Sequence, residues 1–277
     1  MKCLEAKDGS KNFIWDRGEG QKLEARYVVR NSYELICYLS SQTACGRACR
    51  MCHLTRTGQV HAVDATFDDF MMQAERVLSE IKAEDGFQII NYNFMARGEP
   101  LDNTEVRDGL LNALGQLAKH FGLTARFKIS TIMPDGEDID LVERFGYIQP
   151  DIYYSLYSVD PNFRKRWFPK AENHWIALRR LREWQKFSHK IPKIHLALIK
   201  GENDSRTDII NLCNEIDFSE LRVNFNIVRY NPYDVSSEEG DWKLADKLFL
   251  ERFPDSDIQI VQRVGFEAKA SCGMFVS

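Results

Sequence analysis

Four of the chain's seven cysteines fall within CYLSSQTACGRACRMC, residues 37 to 52. Cys45, Cys49 and Cys52 are spaced C-x3-C-x2-C, and Cys37 stands eight residues upstream of the first. Three thiolates on one short loop can each hold one iron of a [4Fe-4S] cube, leaving the fourth iron open. The same spacing suits zinc, with His53 completing a Cys3His set. Structural zinc usually supports domains too small to build a core. This chain has 277 residues and is 44% hydrophobic, enough for one large core or two modest ones, which favours iron. Gly98 and Glu99, in MARGEPLDN (95–103), join a turn to a carboxylate. Cys272 sits in KASCGMF, a small-residue context suited to a mobile segment. Cys213, in IINLCNEI, reads as a core thiol, and Cys3 has no chemical context.

The charged fraction is 28% and the formal net charge −4, which does not mark a nucleic-acid binder overall. Local patches remain: FRKRWFPK (163–170) and RRLREWQK (179–186) concentrate positive charge near Trp167 and Trp184. Such patches suit phosphates and stacked bases, or equally a solvated helix face over buried tryptophans. No apolar run approaches the ~20 residues that cross a bilayer, so no membrane association is expected. The N-terminus lacks an apolar signal region. A cytoplasmic location follows, where clustered thiols stay reduced and point to metal or redox chemistry.

The elements that must position these residues alternate. Strand-like runs rich in β-branched and aromatic residues occupy 32–40, 87–94, 125–131, 151–158, 193–200 and 222–230. Helix-like runs occupy 66–84, 103–120, 137–145, 160–188, 205–216 and 240–252, with Asp68 and Thr104 where N-caps are expected. In the first of these, Phe67, Phe70, Met71, Ala74, Val77, Leu78 and Ile81 follow the 3.6-residue period of a buried face. The pattern predicts an α/β fold with a parallel sheet and helices outside. Six strands cannot close as eight do, so the expectation is a partial (β/α)6 barrel, open on one side. Such folds place chemistry at the C-terminal strand ends, and the cysteine loop follows the first predicted strand.

C-x3-C-x2-C after the first strand of a partial barrel resembles the radical S-adenosylmethionine (SAM) enzymes, and more specifically the RNA adenine methyltransferases RlmN and Cfr. The resemblance covers residues 24 to 273. CYLSSQTACGRACRMC looks like that family's Cys-x-S-S-Q-x-G-C segment, MARGEPLDN its G-M-G-E-P-L-x-N loop, and ISTIMP (129–134) its V-S-T-S-G strand end. SLYSVDPNFRKRWFP (155–169) is similar to its S-L-H-A-x-x-D-x-x-R segment, END (202–204) to its V-N-D, YNPY (230–233) to its W-N-P-F, and ASCGMF (270–275) to its A-C-G-Q-L.

The resemblance implies a [4Fe-4S] cluster on Cys45, Cys49 and Cys52. It implies SAM, two molecules per turnover, held by Gly98, Glu99, Ser130, Ser155, Leu156, Tyr157 and Asn203, although Tyr157 stands where the family usually has His. It implies that Cys272 carries a methyl group to carbon 2 or carbon 8 of an adenine in rRNA or tRNA. Cys37 then resolves the enzyme–RNA crosslink as a disulfide, and Glu24, in EARYV, takes the ring proton. Arg164 is the favoured RNA contact, and flavodoxin or ferredoxin the electron donor. The expected organisation is a short N-terminal extension (1–23) and a catalytic domain (24–277), without the family's helical accessory domain. Two rivals stand beside this reading: the same radical core acting on a non-RNA substrate, and a zinc- or cluster-stabilised RNA-binding module without catalysis.

Overall fold

The computed structural model describes all residues except Ala83, Glu137, Val264, Phe266, Cys272 and Ser277. In chain order the elements are β1 (Lys2–Glu5), β2 (Lys11–Asp16), β3 (Lys22–Val29), β4 (Glu34–Tyr38), α1 (His53–Arg56), α2 (Phe67–Leu78), β5 (Ile89–Phe94), α3 (Asp108–His120), β6 (Thr124–Thr131) and α4 (Leu141–Phe145). There follow β7 (Asp151–Tyr154), α5 (Pro161–Trp167), α6 (His174–Ser188), β8 (Lys193–Leu196), α7 (Arg206–Phe218), β9 (Asn224–Val228), α8 (Trp242–Arg252) and β10 (Ile258–Val261). Among the described residues no helix is long and apolar enough to cross a membrane.

All ten strands lie in one sheet in sequence order. β4 to β10 pair in parallel. β1 to β4 pair antiparallel. The six predicted strands are β4 to β9. The open α/β barrel is therefore as expected, but larger: β10 extends the parallel run, and three antiparallel strands precede it. The cysteine loop thus follows the fourth strand in the chain, which is the first of the parallel run. Residues before position 24 form β1, β2 and the start of β3. Position 24 falls inside a strand, and what precedes it is part of the sheet.

The parallel strands alternate strictly. Ile90, Tyr92 and Phe94 of β5 share one face with Phe127 and Ile129 of β6, Ile194 of β8 and Phe225 of β9. This face meets the helices: Phe225 stacks on Phe249 of α8 at 4.2 Å, and Gly115 of α3 lies against Phe127. Burying each such ring contributes about 1.5–3 kcal/mol. The opposite, inner face carries Tyr38, Asn91, Asn93, Lys128, Ser130, Tyr153, His195 and Asn226.

Several helix bounds differ from expectation: α2 ends at Leu78 rather than 84, α4 starts at Leu141, capped by Asp140, rather than at 137, and two other starts and one long helix also differ. α2 begins at Phe67 because Thr66, not Asp68, caps it, with Asp69 completing a capping box. Thr104 lies in a turn before α3, whose N-cap is Arg107. The run 160–188 splits into α5 and α6. Phe168 precedes Pro169 and leaves the helical region at φ −134°, ψ 61°, and Asn173 caps the restart by accepting from Trp175 N.

After β10 the chain returns across the opening between the sheet's edges. Gly265 N donates to Asp8 (2.7 Å) and Asn12 Nδ2 to Ala268 O (3.1 Å). Arg26 Nη2 donates to Met274 O (2.6 Å) and Arg97 Nη2 to Val276 O (2.6 Å). This C-terminal segment closes the barrel where strands do not.

Candidate active site

The cysteine loop is built from the end of β4 outwards. Ser40 Oγ donates to Glu24 O (2.6 Å), and Gln42 Oε1 accepts from Glu99 N (3.1 Å). Asn103 donates to Ser41 O (2.7 Å) and Ala65 O (2.8 Å). Gly98 sits at φ +93°, and a Cβ there would meet Ser41 Oγ at 2.5 Å and Gln42 N at 2.8 Å. The close approach that requires glycine is to the loop preceding the cysteines. The loop's outer side is fastened by charge: Arg47 reaches Asp102 (2.8 Å) and Asp135 (2.9 Å), and Lys170 Nζ donates to Gly46 O (2.7 Å). Arg50 lies over the Trp167 ring at 5.0 Å.

Cys45, Cys49 and Cys52 line one cavity of about 160 Å³ at the C-terminal ends of the strands, together with Gly98, Glu99, Ser130, Ser155, Tyr157 and His195. Gly273 and Phe275 of the C-terminal segment line it too, and His53 N donates to Gly273 O (3.2 Å). Burial, with repulsion from Cys52, pushes the Cys45 thiol up to about 12; burial likewise raises Cys49. Thiolates here need a compensating cation, which iron supplies. Among the described residues no three His, Cys, Asp or Glu side chains converge to hold one metal ion. A mononuclear Cys3His centre therefore lacks its geometry, and His53 instead packs edge-on against Tyr233 at 5.1 Å. Three thiols around a cavity, each for its own iron, need no common point.

The radical SAM superfamily model matches residues 39–213. The chain belongs to the radical SAM superfamily. A [4Fe-4S] cluster and SAM are the cofactors of this radical SAM protein, and the three cysteines and the buried carboxylate beside them fit that pair. The chain is 25% identical to the dual-specificity RNA methyltransferase RlmN of Wolinella succinogenes, over 97% of this chain and 77% of that protein. The corresponding protein of Campylobacter hominis is 24% identical over 98% and 78%. A radical SAM methyltransferase from Sphaerobacter thermophilus has the same fold, with a TM-score of 0.80 at 18% identity, covering 99% of this chain and 80% of that one. SuiB of Streptococcus suis, solved with SAM, reaches 0.55 at 14% identity, covering 86% and 52%.

Of the remaining sequence-derived residues of this radical SAM protein, some converge and some do not. Glu99 accepts from Leu101 N and Ile132 N, both at 3.1 Å, and burial raises its carboxyl to about 7. Ser130, Ser155 and Tyr157 line the cavity. Leu156 is wholly buried in the core. Asn203 spends its amide on Tyr157 O (2.8 Å), Ala197 O (3.0 Å) and Ile199 N (2.7 Å). It braces two strand ends and stands outside the cavity lining. Arg164 is 7% exposed and donates to Glu172 O (2.8 Å). It is an internal strut, so the RNA contact read into it is corrected. Trp167 and Trp184 are buried as well, leaving Lys165, Arg166 and Lys170 as the exposed cations of that stretch.

Glu24 is fully buried among cations and donors. It accepts from Arg97 Nε (2.7 Å), Val276 N (3.1 Å) and Asn12 Nδ2 (2.8 Å). It anchors the C-terminal segment and does not line the cavity, a position that does not suit the proton acceptor expected from the sequence. Cys37 is also displaced. It pairs with Tyr27 and Tyr92, so its thiol shares their helix-packed face, fully buried, with burial pushing it far up. Two residues separate Cys37 from Ser40, where the family pattern has one. With a side-chain period of two, that single residue turns the thiol away from the cavity, and the inner face at this point carries Tyr38. Cys272 lies outside the described residues.

Sequence reasoning missed His195, Met95, Arg97 and Phe275. The polar–apolar alternation of INYNF, KIHL and NFNIV was the signal for an inner polar face.

Proposed function

We propose that this chain is a radical SAM methyltransferase that modifies an adenine ring carbon, most simply carbon 2, of rRNA or tRNA, with Cys272 as the methyl carrier. One observation carries the reading: Gly273, next to position 272, lines the cysteine cavity, and the residues just before that position are fastened to Arg26 of β3. Ala270 O and Ser271 O accept from Arg26, Gly273 O accepts from His53 N, and Gly273 and Phe275 line the cavity wall. The similarity to RlmN proteins across nearly the whole chain supports the substrate class.

When bound, the cluster and SAM supply a carbon radical that abstracts hydrogen from an unactivated methyl. The chain's own residues do the rest. Cys45, Cys49 and Cys52 hold the cluster, and Glu99, at the edge of the same cavity, accepts the SAM ammonium. The Cys272 thiolate attacks the methyl carbon of a SAM sulfonium and expels S-adenosylhomocysteine as the neutral leaving group, so carbon is already bound to the cysteine sulfur before the base arrives. An electron carrier of the flavodoxin or ferredoxin type supplies the reducing electron. The position of Cys37 favours a second reading, in which the same core and carrier cysteine act on a base-like substrate other than RNA, and an external thiol attacks the Cys272 sulfur, breaking its bond to carbon and leaving a mixed disulfide in place of a Cys37 disulfide.

The test is mass spectrometry of nucleosides from RNA incubated with the reconstituted enzyme, SAM and reductant. Methyladenosine is expected from the wild type and none from Cys272→Ala. Full methyl transfer by Cys272→Ala removes the carrier, and an unmethylated RNA pool with active SAM cleavage favours the second reading.

A further inference from the structure

The sheet's inner face holds polar side chains that neither cluster nor SAM residues engage. Asn91 is 1% exposed, and neither amide atom has a hydrogen-bond partner. The Oδ1 atoms of Asn93 and Asn226 also lack partners, and both residues are more than nine-tenths buried. An unpaired buried amide costs about 1–3 kcal/mol, and native interiors complete such groups with water or ligand.

Their positions point to a ligand at the cavity. Asn226 is the cross-strand partner of His195, which lines the cavity floor. Asn93 shares the inner face with Met95, another floor residue, and Asn91 lies one step below it. The Tyr153 ring stands 6.4 Å from that of His195. Two cations share this face: Lys193 Nζ is 3.3 Å from Asp257, and Lys128 pairs in register with Asn93 and Asp151, two residues before Ser130 of the cavity. Apart from Lys128, the side chains of this layer on β5 and β9 are the neutral amides Asn91, Asn93 and Asn226. Amides place an acceptor beside a donor, the complement of an adenine edge with its N6 amino group beside a ring nitrogen. A phosphate, which carries only acceptors, does not match unpaired carbonyl oxygens.

We propose that His195 at the cavity floor and Asn93 and Asn226 in the layer beneath it, backed by Asn91, read the base to be modified, and that they select adenine through its donor–acceptor edge. This rests on the reading above that the substrate is a nucleic-acid base, and it names the residues that choose which base.

The experiment is equilibrium dialysis of adenosine and guanosine against cluster-reconstituted enzyme with SAM and no reductant. The wild type is expected to prefer adenosine. Asn93→Leu and Asn226→Leu each weaken adenosine binding by about tenfold, the scale of one lost bidentate contact, and narrow the preference over guanosine. Leucine is close to asparagine in shape and removes an unpaired buried carbonyl oxygen, so both variants are expected to stay folded, with melting temperatures near the wild type, and still take up the cluster. Asn93→Asp serves as a second probe of near-identical shape, with a changed donor pattern and altered base preference. Unchanged adenosine affinity in the leucine variants, or no preference in the wild type, overturns the inference and leaves a water-filled interior. The RNA reading fails separately, if wild-type enzyme binds adenosine through these residues yet transfers methyl to no RNA.

Discussion

Cys37 and His195 show how one position in a strand decides a residue's chemistry. The Cys37 thiol faces helices, so Cys37→Ala is expected to retain methyl transfer and to accumulate no covalent RNA adduct on denaturing gels. An adduct in that variant would show that β4 slips by one residue during turnover and that the disulfide route operates. His195 faces the cavity, and burial lowers its imidazole to about 4 from the ordinary 6.5. A depressed folded-state value means that the unfolded chain binds the proton first. The stability contribution of a neutral His195 is complete above pH 6.5 and is lost as pH falls toward 4. Denaturant midpoints of the wild type should therefore drop more steeply between pH 7 and pH 4 than those of His195→Gln. Parallel pH profiles would place the imidazole in contact with water.

At the scale of elements, Gly98 joins β5 to the cysteine loop. Gly98→Ala is expected to lose the broad cluster absorbance near ~400 nm after reconstitution, because its Cβ would overlap Ser41 and Gln42; full cluster uptake would show that the latch yields. The parallel strands and their helices were legible from the sequence because each carries its own local signal: aromatic and β-branched runs for β4 to β9, and a 3.6-residue apolar stripe in α2. That Cys45, Cys49, Cys52 and Glu99 gather at one cavity was legible for the same reason, since the spacing of each motif is local. β1, β2, β3 and β10 were not. They are short, as in KCLE and IQIV, or interrupted by charge, as in KLEARYVV, and only pairing with neighbours makes them strands. The roles of Arg164, Glu24 and Cys37 escaped because burial and facing depend on tertiary register, which spacing alone does not carry.

At the scale of the whole molecule, the ion pairs of Glu24, Arg26 and Arg97 hold the sheet's antiparallel edge, the end of β5 and the C-terminal segment together. Removing one partner from a buried charged set costs about 3–5 kcal/mol. Glu24→Gln is expected to lower the denaturant midpoint and to free residues 268–276 for proteolysis. An unchanged midpoint with a slower turnover would return Glu24 to the role of base. The same grip spans the chain: Glu24 and Val276 are 252 positions apart. At ~5–20 residues per second of synthesis, roughly 10–50 s separate the emergence of these two partners from the ribosome. From the emergence of Cys52 until the C-terminal segment arrives, the nascent protein presents three thiols without that segment's wall, open to metal donors and to oxidants alike. Iron delivery to this protein is thus a matter of timing as well as affinity, and the closing segment seals in whatever has been loaded before it arrives.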